Sequence, residues 1–147
     1  MKSFLVLAIF YFCSFSYAAN FDGVWKGTGE MNSSVEGKLA VDPVVFEFSQ
    51  SDLMISSKDC WNFKFGGNDW RYCGHRDLEI KGSDLFYKGF RIGQYTENKI
   101  VISYLEGTAQ VDAVAEIQAD GTMNYHYQSV DPGGKFLIQD AVGLVRQ

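Results

Sequence analysis

Read as a pattern of hydrophobic and polar positions, most of the chain alternates in short runs and never settles into a helical period. No window holds apolar residues at i, i+3, i+4 and i+7 for long enough to bury one face of a helix. Instead the chain is cut at intervals of 12 to 23 residues by turn-forming groups: Gly66-Gly67, Gly82-Ser83, Glu97-Asn98, Asp120-Gly121 and Pro132-Gly133-Gly134. Between the cuts lie runs of Val, Ile, Phe and Tyr, side chains that suit a pleated, half-buried surface. The pattern predicts an all-β domain, an antiparallel up-and-down β-barrel of about eight to ten strands joined as hairpins.

One hairpin can be registered by arithmetic. A two-residue turn at Gly66-Gly67 suits glycine, because such turns need positive φ. Opposed residues then have numbers that sum to 133, so Phe63 faces Trp70, Trp61 faces Tyr72, and Cys60 faces Cys73. Cys60 and Cys73 fall on a non-hydrogen-bonded pair, where Cα atoms sit about 4.5 Å apart, within reach of a disulfide. The faces sort as well. Trp61, Phe63, Phe65, Trp70 and Tyr72 share the side expected to face the core. Cys60, Asn62, Lys64, Asp69, Arg71 and Cys73 share the other, expected outside or at the rim, with Lys64 opposite Asp69. A slip of one residue would exchange the faces.

The same procedure at Gly82-Ser83 opposes Ile80 with Leu85, Leu78 with Tyr87, and Lys81 with Asp84. A two-residue turn at Asp120-Gly121 gives a pairing sum of 241 and an odd result. Val111, Ala113, Ala115 and Ile117 share a face with Thr122, Asn124, His126 and Gln128, while Asp112, Val114, Glu116 and Gln118 share the other with Met123, Tyr125, Tyr127 and Ser129. Mixed faces fit the wall of a cavity, since polar groups buried in a dry core need partners. A bulge within one strand gives the same mixture.

The N-terminus changes the picture of where this barrel resides. Lys2 precedes an uncharged run that ends in Ser16-Tyr17-Ala18, the small-residue pattern of a signal peptide cleaved after Ala18. The run is shorter than the roughly 20 apolar residues of a membrane span. Residues 1–18 therefore read as a signal peptide and 19–147 as one domain of a secreted or periplasmic protein. Its charge is 12 Lys+Arg against 18 Asp+Glu, or −6, with no basic run. That argues against nucleic acid and anionic membrane surfaces as partners. In an exported chain the two remaining cysteines are most economically one disulfide.

Candidate chemistry is sparse. His75 and His126 are the only histidines. His75 with two cysteines falls short of a closed zinc set, and the register assigns those cysteines to each other, so no metal is expected. No G-x-S-x-G elbow or phosphate-binding loop occurs, so no catalytic residue is assigned. An enzymatic reading would need His126 within hydrogen-bond reach of Asp112 or Glu116 inside a pocket, and the register above separates them. Asn32-Ser33-Ser34 is a glycosylation acceptor if the source is eukaryotic.

The stretch FDGVWKGTGE, residues 21 to 30, carries the family signal. Gly23-Val24-Trp25 is a G-x-W in the first strand, where flanking glycines let the strand bend, and Arg146 ends the last strand, placed to lie across the indole. The chain thereby resembles the calycins, the superfamily of lipocalins, fatty-acid-binding proteins and avidins, whose hallmark is that tryptophan under a cation from the last strand. The resemblance implies a barrel closed at one end by Gly23, Trp25 and Arg146 and holding a small apolar or aromatic molecule, with Trp61, Phe63, Trp70, Tyr72 and His126 as lining candidates. A protein-interaction or inhibitor module with a filled barrel is the alternative. The extended Gly23-x-Trp25-x-Gly27-x-Gly29 also resembles nitrobindin-type haem barrels. Their iron-binding histidine lies near the C-terminal end, where residues 136–147 contain none, so haem is disfavoured and no cofactor is expected.

Overall fold

The computed structural model describes residues 20–147, and the expected signal peptide lies outside the described residues. Ten strands follow one another: β1 (Gly23–Ser33), β2 (Gly37–Gln50), β3 (Met54–Phe65), β4 (Asn68–Lys81), β5 (Asp84–Tyr87), β6 (Phe90–Tyr95), β7 (Lys99–Glu106), β8 (Ala109–Ile117), β9 (Met123–Val130) and β10 (Phe136–Arg146). Every strand pairs antiparallel with its sequence neighbour, and β1 pairs with β10 to close an up-and-down barrel. Closure pairs β1 with β10, the two strands that would otherwise be edges open to unwanted strand pairing.

The glycines of the first strand meet a steric demand. A Cβ on Gly29 would lie 2.5 Å from the Asp140 carbonyl oxygen and 3.1 Å from the Trp61 ring. Only a bare backbone lets β1 press against β10 and the indole there, and both ladders of β1 shift register beside it. Trp25 itself is buried, and its Nε1 donates to the Phe21 carbonyl at 2.8 Å.

The first hairpin forms with the register that the sum of 133 requires, from Phe65↔Asn68 through Cys60↔Cys73 to Met54↔Glu79. The disulfide joins Cys60 and Cys73 with Cα atoms 4.2 Å apart. It lies on the outer side, where Cys60 is nevertheless covered and Cys73 exposed. Lys64 and Asp69 form an exposed ion pair at 3.7 Å. In the second hairpin Ile80↔Leu85 and Lys81↔Asp84 pair as expected. Lys81 takes Glu79 as its ion partner, however, and Asp84 takes Arg91.

The third hairpin corrects the sequence reading. Its pairs run from Gln110↔Val130 to Ile117↔Met123, so the numbers sum to 240. The connection is five residues, not two. Gln118 N–H donates to the Thr122 carbonyl, and Asp120 Oδ1 accepts from the Thr122 amide and hydroxyl. This one-residue slip reassigns both faces. Val111, Ala113, Ala115 and Ile117 now share the inner face with Met123, Tyr125, Tyr127 and Ser129, whereas His126 moves outside with Asp112 and Glu116. The mixed faces vanish with the slip and the ladder carries no bulge, while Ala113, Ala115, Tyr125 and Tyr127 still line interior cavities.

Candidate interior site

Alternation along the strands delivers a dense aromatic cluster to the inside. The Phe46 ring lies 4.5 Å from Tyr125, 5.9 Å from Phe48 and 6.0 Å from Trp61, and Phe48 continues to Phe21 at 5.6 Å. At the end where the chain enters, the Arg146 guanidinium carbon stands 4.5 Å from the centroid of the Trp25 ring. Its aliphatic stem passes 3.7 Å from where a Gly23 Cβ would be. An Arg146 Nη2 also donates to the Asn20 carbonyl. These groups fill one half of the barrel.

The other half is not filled. An inner cavity of about 40 Å³ lies against Ala113, Ala115 and Ile102. A larger recess of about 230 Å³ opens toward the end bearing the β3–β4 turn. Asp59, Arg76 and Tyr125 line both and mark the boundary between them. The inner volume has room for water but not for a ligand ring; a ligand would sit mainly in the recess.

The two charged residues at that boundary follow from the same alternation that places Trp61. Asp59 is two residues before Trp61 on β3, and Gly74 sits opposite it on β4. A Cβ on Gly74 would come within 2.8 Å of Asp59 Oδ1, so the glycine makes room for the carboxylate. Trp61 Nε1 donates to Asp59 Oδ2 at 2.8 Å. Burial raises the carboxyl above its ordinary range, with that hydrogen bond and the Arg76 charge opposing the rise. Two residues after Gly74, Arg76 lies 5.6 Å from the Tyr104 ring and 6.0 Å from the Tyr87 ring. Its guanidinium has no ion-pair partner among the described residues.

Tyr72, Tyr125 and Tyr127 complete the lining of the recess, and Tyr104 lies in the wall beside Arg76 and the side cleft. Burial pushes the phenols of Tyr72, Tyr125 and Tyr127 up and that of Tyr104 to about 12, so all four remain protonated donors at neutral pH. The Tyr104 hydroxyl is buried without a protein partner among the described residues. A side opening adds a second approach. The β6–β7 ladder holds only at Gly93↔Ile102, Gln94↔Val101 and Tyr95↔Ile100. Toward the open end these strands separate around a cleft of about 510 Å³ bounded by Tyr87, Ile92 and Tyr104.

The residues singled out from the sequence are dispersed by the fold. Trp61 is buried in the interior cluster and Phe63 is half-buried beside it. Trp70 and Tyr72 have the inward register but stand largely exposed on the β3–β4 hairpin, which runs past the last β2 pair, Val41↔Phe63. Of the two, only Tyr72 reaches the recess. His126 is a correction: it lies on the outer wall, half-exposed, with Nδ1 2.6 Å from Asp140 Oδ1. It therefore shares a face with Asp112 and Glu116 but takes neither as partner. The disulfide engages Cys60 and Cys73, leaving neither as a metal ligand. Among the described residues no group of three His, Cys, Asp or Glu could hold a metal ion.

Fold and interior together define a class: a small, closed, ten-stranded antiparallel barrel with an aromatic half and a tyrosine-lined polar half. Compared with known proteins, the chain matches no family model and no curated protein.

Proposed function

We propose that this is an exported, calycin-like binding protein that holds a small molecule with an apolar or aromatic body and an anionic group. The body lies against Tyr125 and its neighbours, and the anionic group meets Arg76. The observation that carries the reading is the guanidinium of Arg76, without an ion-pair partner among the described residues, at the boundary of the two cavities. A half-buried cation without an ion partner gains a charge-assisted hydrogen bond when a ligand anion arrives there. Trp25 beneath Arg146 supports the calycin-like layout, and the Cys60–Cys73 disulfide supports export. Binding is favoured over catalysis because the His126–Asp140 pair faces away from the recess.

The test is calorimetric titration with benzoate and phenylacetate against their amides. The acids should bind, the amides should bind more weakly, and Arg76→Met should weaken acid binding by about 10- to 100-fold, the range for losing a charge-assisted hydrogen bond. A far-ultraviolet spectrum and melting curve establish that the variant is folded. Acids and amides binding alike, or an unaffected folded Arg76→Met, would refute the role of Arg76.

A further inference from the structure

The barrel's two ends differ in a way that whole-chain composition conceals. Five hairpin turns gather at the open end, and each carries an exposed apolar side chain: Val35, Phe65 with Trp70, Phe90, Leu105 and Val130. The exposures are large, 77% for Val35, 75% for Phe90, 66% for Leu105 and 54% for Trp70. In the connections at the opposite end, residues 51–53, 82–83, 96–98 and 118–122, only Leu53 is comparable.

Charge divides the same way. The five open-end turn segments, residues 33–38, 64–71, 87–91, 105–109 and 130–136, contain six Lys or Arg and four Asp or Glu, a sum of +2. The rest of residues 20–147 holds the remaining six cations and fourteen carboxylates, a sum of −8. Within the open-end set, Lys38 pairs with Glu30 and Arg91 with Asp84, both outside these segments. Arg71, Lys88 and Lys135, on three different turns, have no ion-pair partner among the described residues.

Apolar and aromatic tips interleaved with lysine and arginine, backed by an acidic body, are the makeup of a surface that settles into a lipid headgroup layer. The anchors are separated around a rim with a polar recess between them, so a soft interface can receive each one independently. We propose that the open end docks on an anionic lipid bilayer. The turns insert to the level of the headgroups, Arg71, Lys88 and Lys135 meet lipid phosphates, and the acidic body points to water. The average charge argues against such a partner. Its distribution sets the orientation in which one fits.

Vesicle flotation tests this with equal parts phosphatidylglycerol and phosphatidylcholine, beside pure phosphatidylcholine. The protein should float with the mixed vesicles and release in high salt. Trp25 and Trp61 are buried, so a blue shift of tryptophan emission on binding reports Trp70. The pair Phe90→Ser and Leu105→Ser should lower affinity by about tenfold or more, and Arg71→Gln, Lys88→Gln and Lys135→Gln together by a similar factor. Leu53→Ser, at the other end, should float like the parent. Failure to float with either vesicle would overturn the proposal, as would flotation unmoved by the tip substitutions or equally weakened by Leu53→Ser. A dimer in lipid-free solution that the tip substitutions dissociate would assign the rim to a second copy of the chain instead.

Discussion

At the residue scale the inward-facing Asp59 is held as an anion at a cost. A carboxylate turned inward among aromatics is tolerated because Trp61 donates to it and Gly74 leaves it space. Its raised pKa means that the folded protein holds this proton more readily than the unfolded chain does. The unfavourable contribution is therefore present when pH exceeds the raised value and vanishes as pH falls below the ordinary value of 3.8. Asp59→Asn keeps an oxygen for the indole and removes the buried charge. The variant should melt a few degrees higher than the parent at pH 7, and the gap should close by pH 3. Melting curves at the two pH values decide it; a variant less stable at pH 7 would show that Asp59 is favourably placed as an anion.

At the element scale the β3–β4 hairpin is held twice, by its aromatic face and by the disulfide. Closing a loop of this length contributes about 3 kcal/mol through the unfolded chain. Replacing Cys60 and Cys73 by serine should cost about that much in urea titration, while the cross-strand pairs Trp61↔Tyr72 and Phe63↔Trp70 persist in nuclear Overhauser contacts. That hairpin was legible in sequence because two glycines leave one plausible turn and because a single register segregates the faces. The β8–β9 hairpin was not. Asp120-Gly121 looks like a two-residue turn, yet Asp120 spends its side chain on Thr122 and widens the loop to five. The mixed faces produced by a sum of 241 were the symptom of a wrong register; a sum of 240 sorts them cleanly. The interior charges are hidden in the sequence for a related reason. A charged residue in a strand is ordinarily solvent-facing, but Asp59 and Arg76 share the parity of Trp61 and Tyr72, and carrying the first hairpin's alternation past the cysteines finds both.

At the scale of the whole molecule, closure makes the strands mutually dependent, but unevenly. β5 and β6 are held by short ladders: β4–β5 spans only Glu79↔Phe86 to Lys81↔Asp84, and β6–β7 only Gly93↔Ile102 to Tyr95↔Ile100. Around β1 the ladders run nearly the full strand length on both sides, with Trp25 packed beneath Arg146. The barrel should therefore open first at β5–β6, beside the cleft bounded by Tyr87 and Tyr104, without unfolding elsewhere. Trp25→Ala separates the two processes. Losing a buried tryptophan costs about 3–5 kcal/mol, and amides in β1, β2, β9 and β10 should lose protection from hydrogen exchange by that amount. Amides near Gly93 and Ile102, which exchange through the smaller local opening, should be almost unmoved. Equal loss of protection around the whole ring would mean that β5–β6 does not open separately and that the side cleft is a fixed feature of the wall.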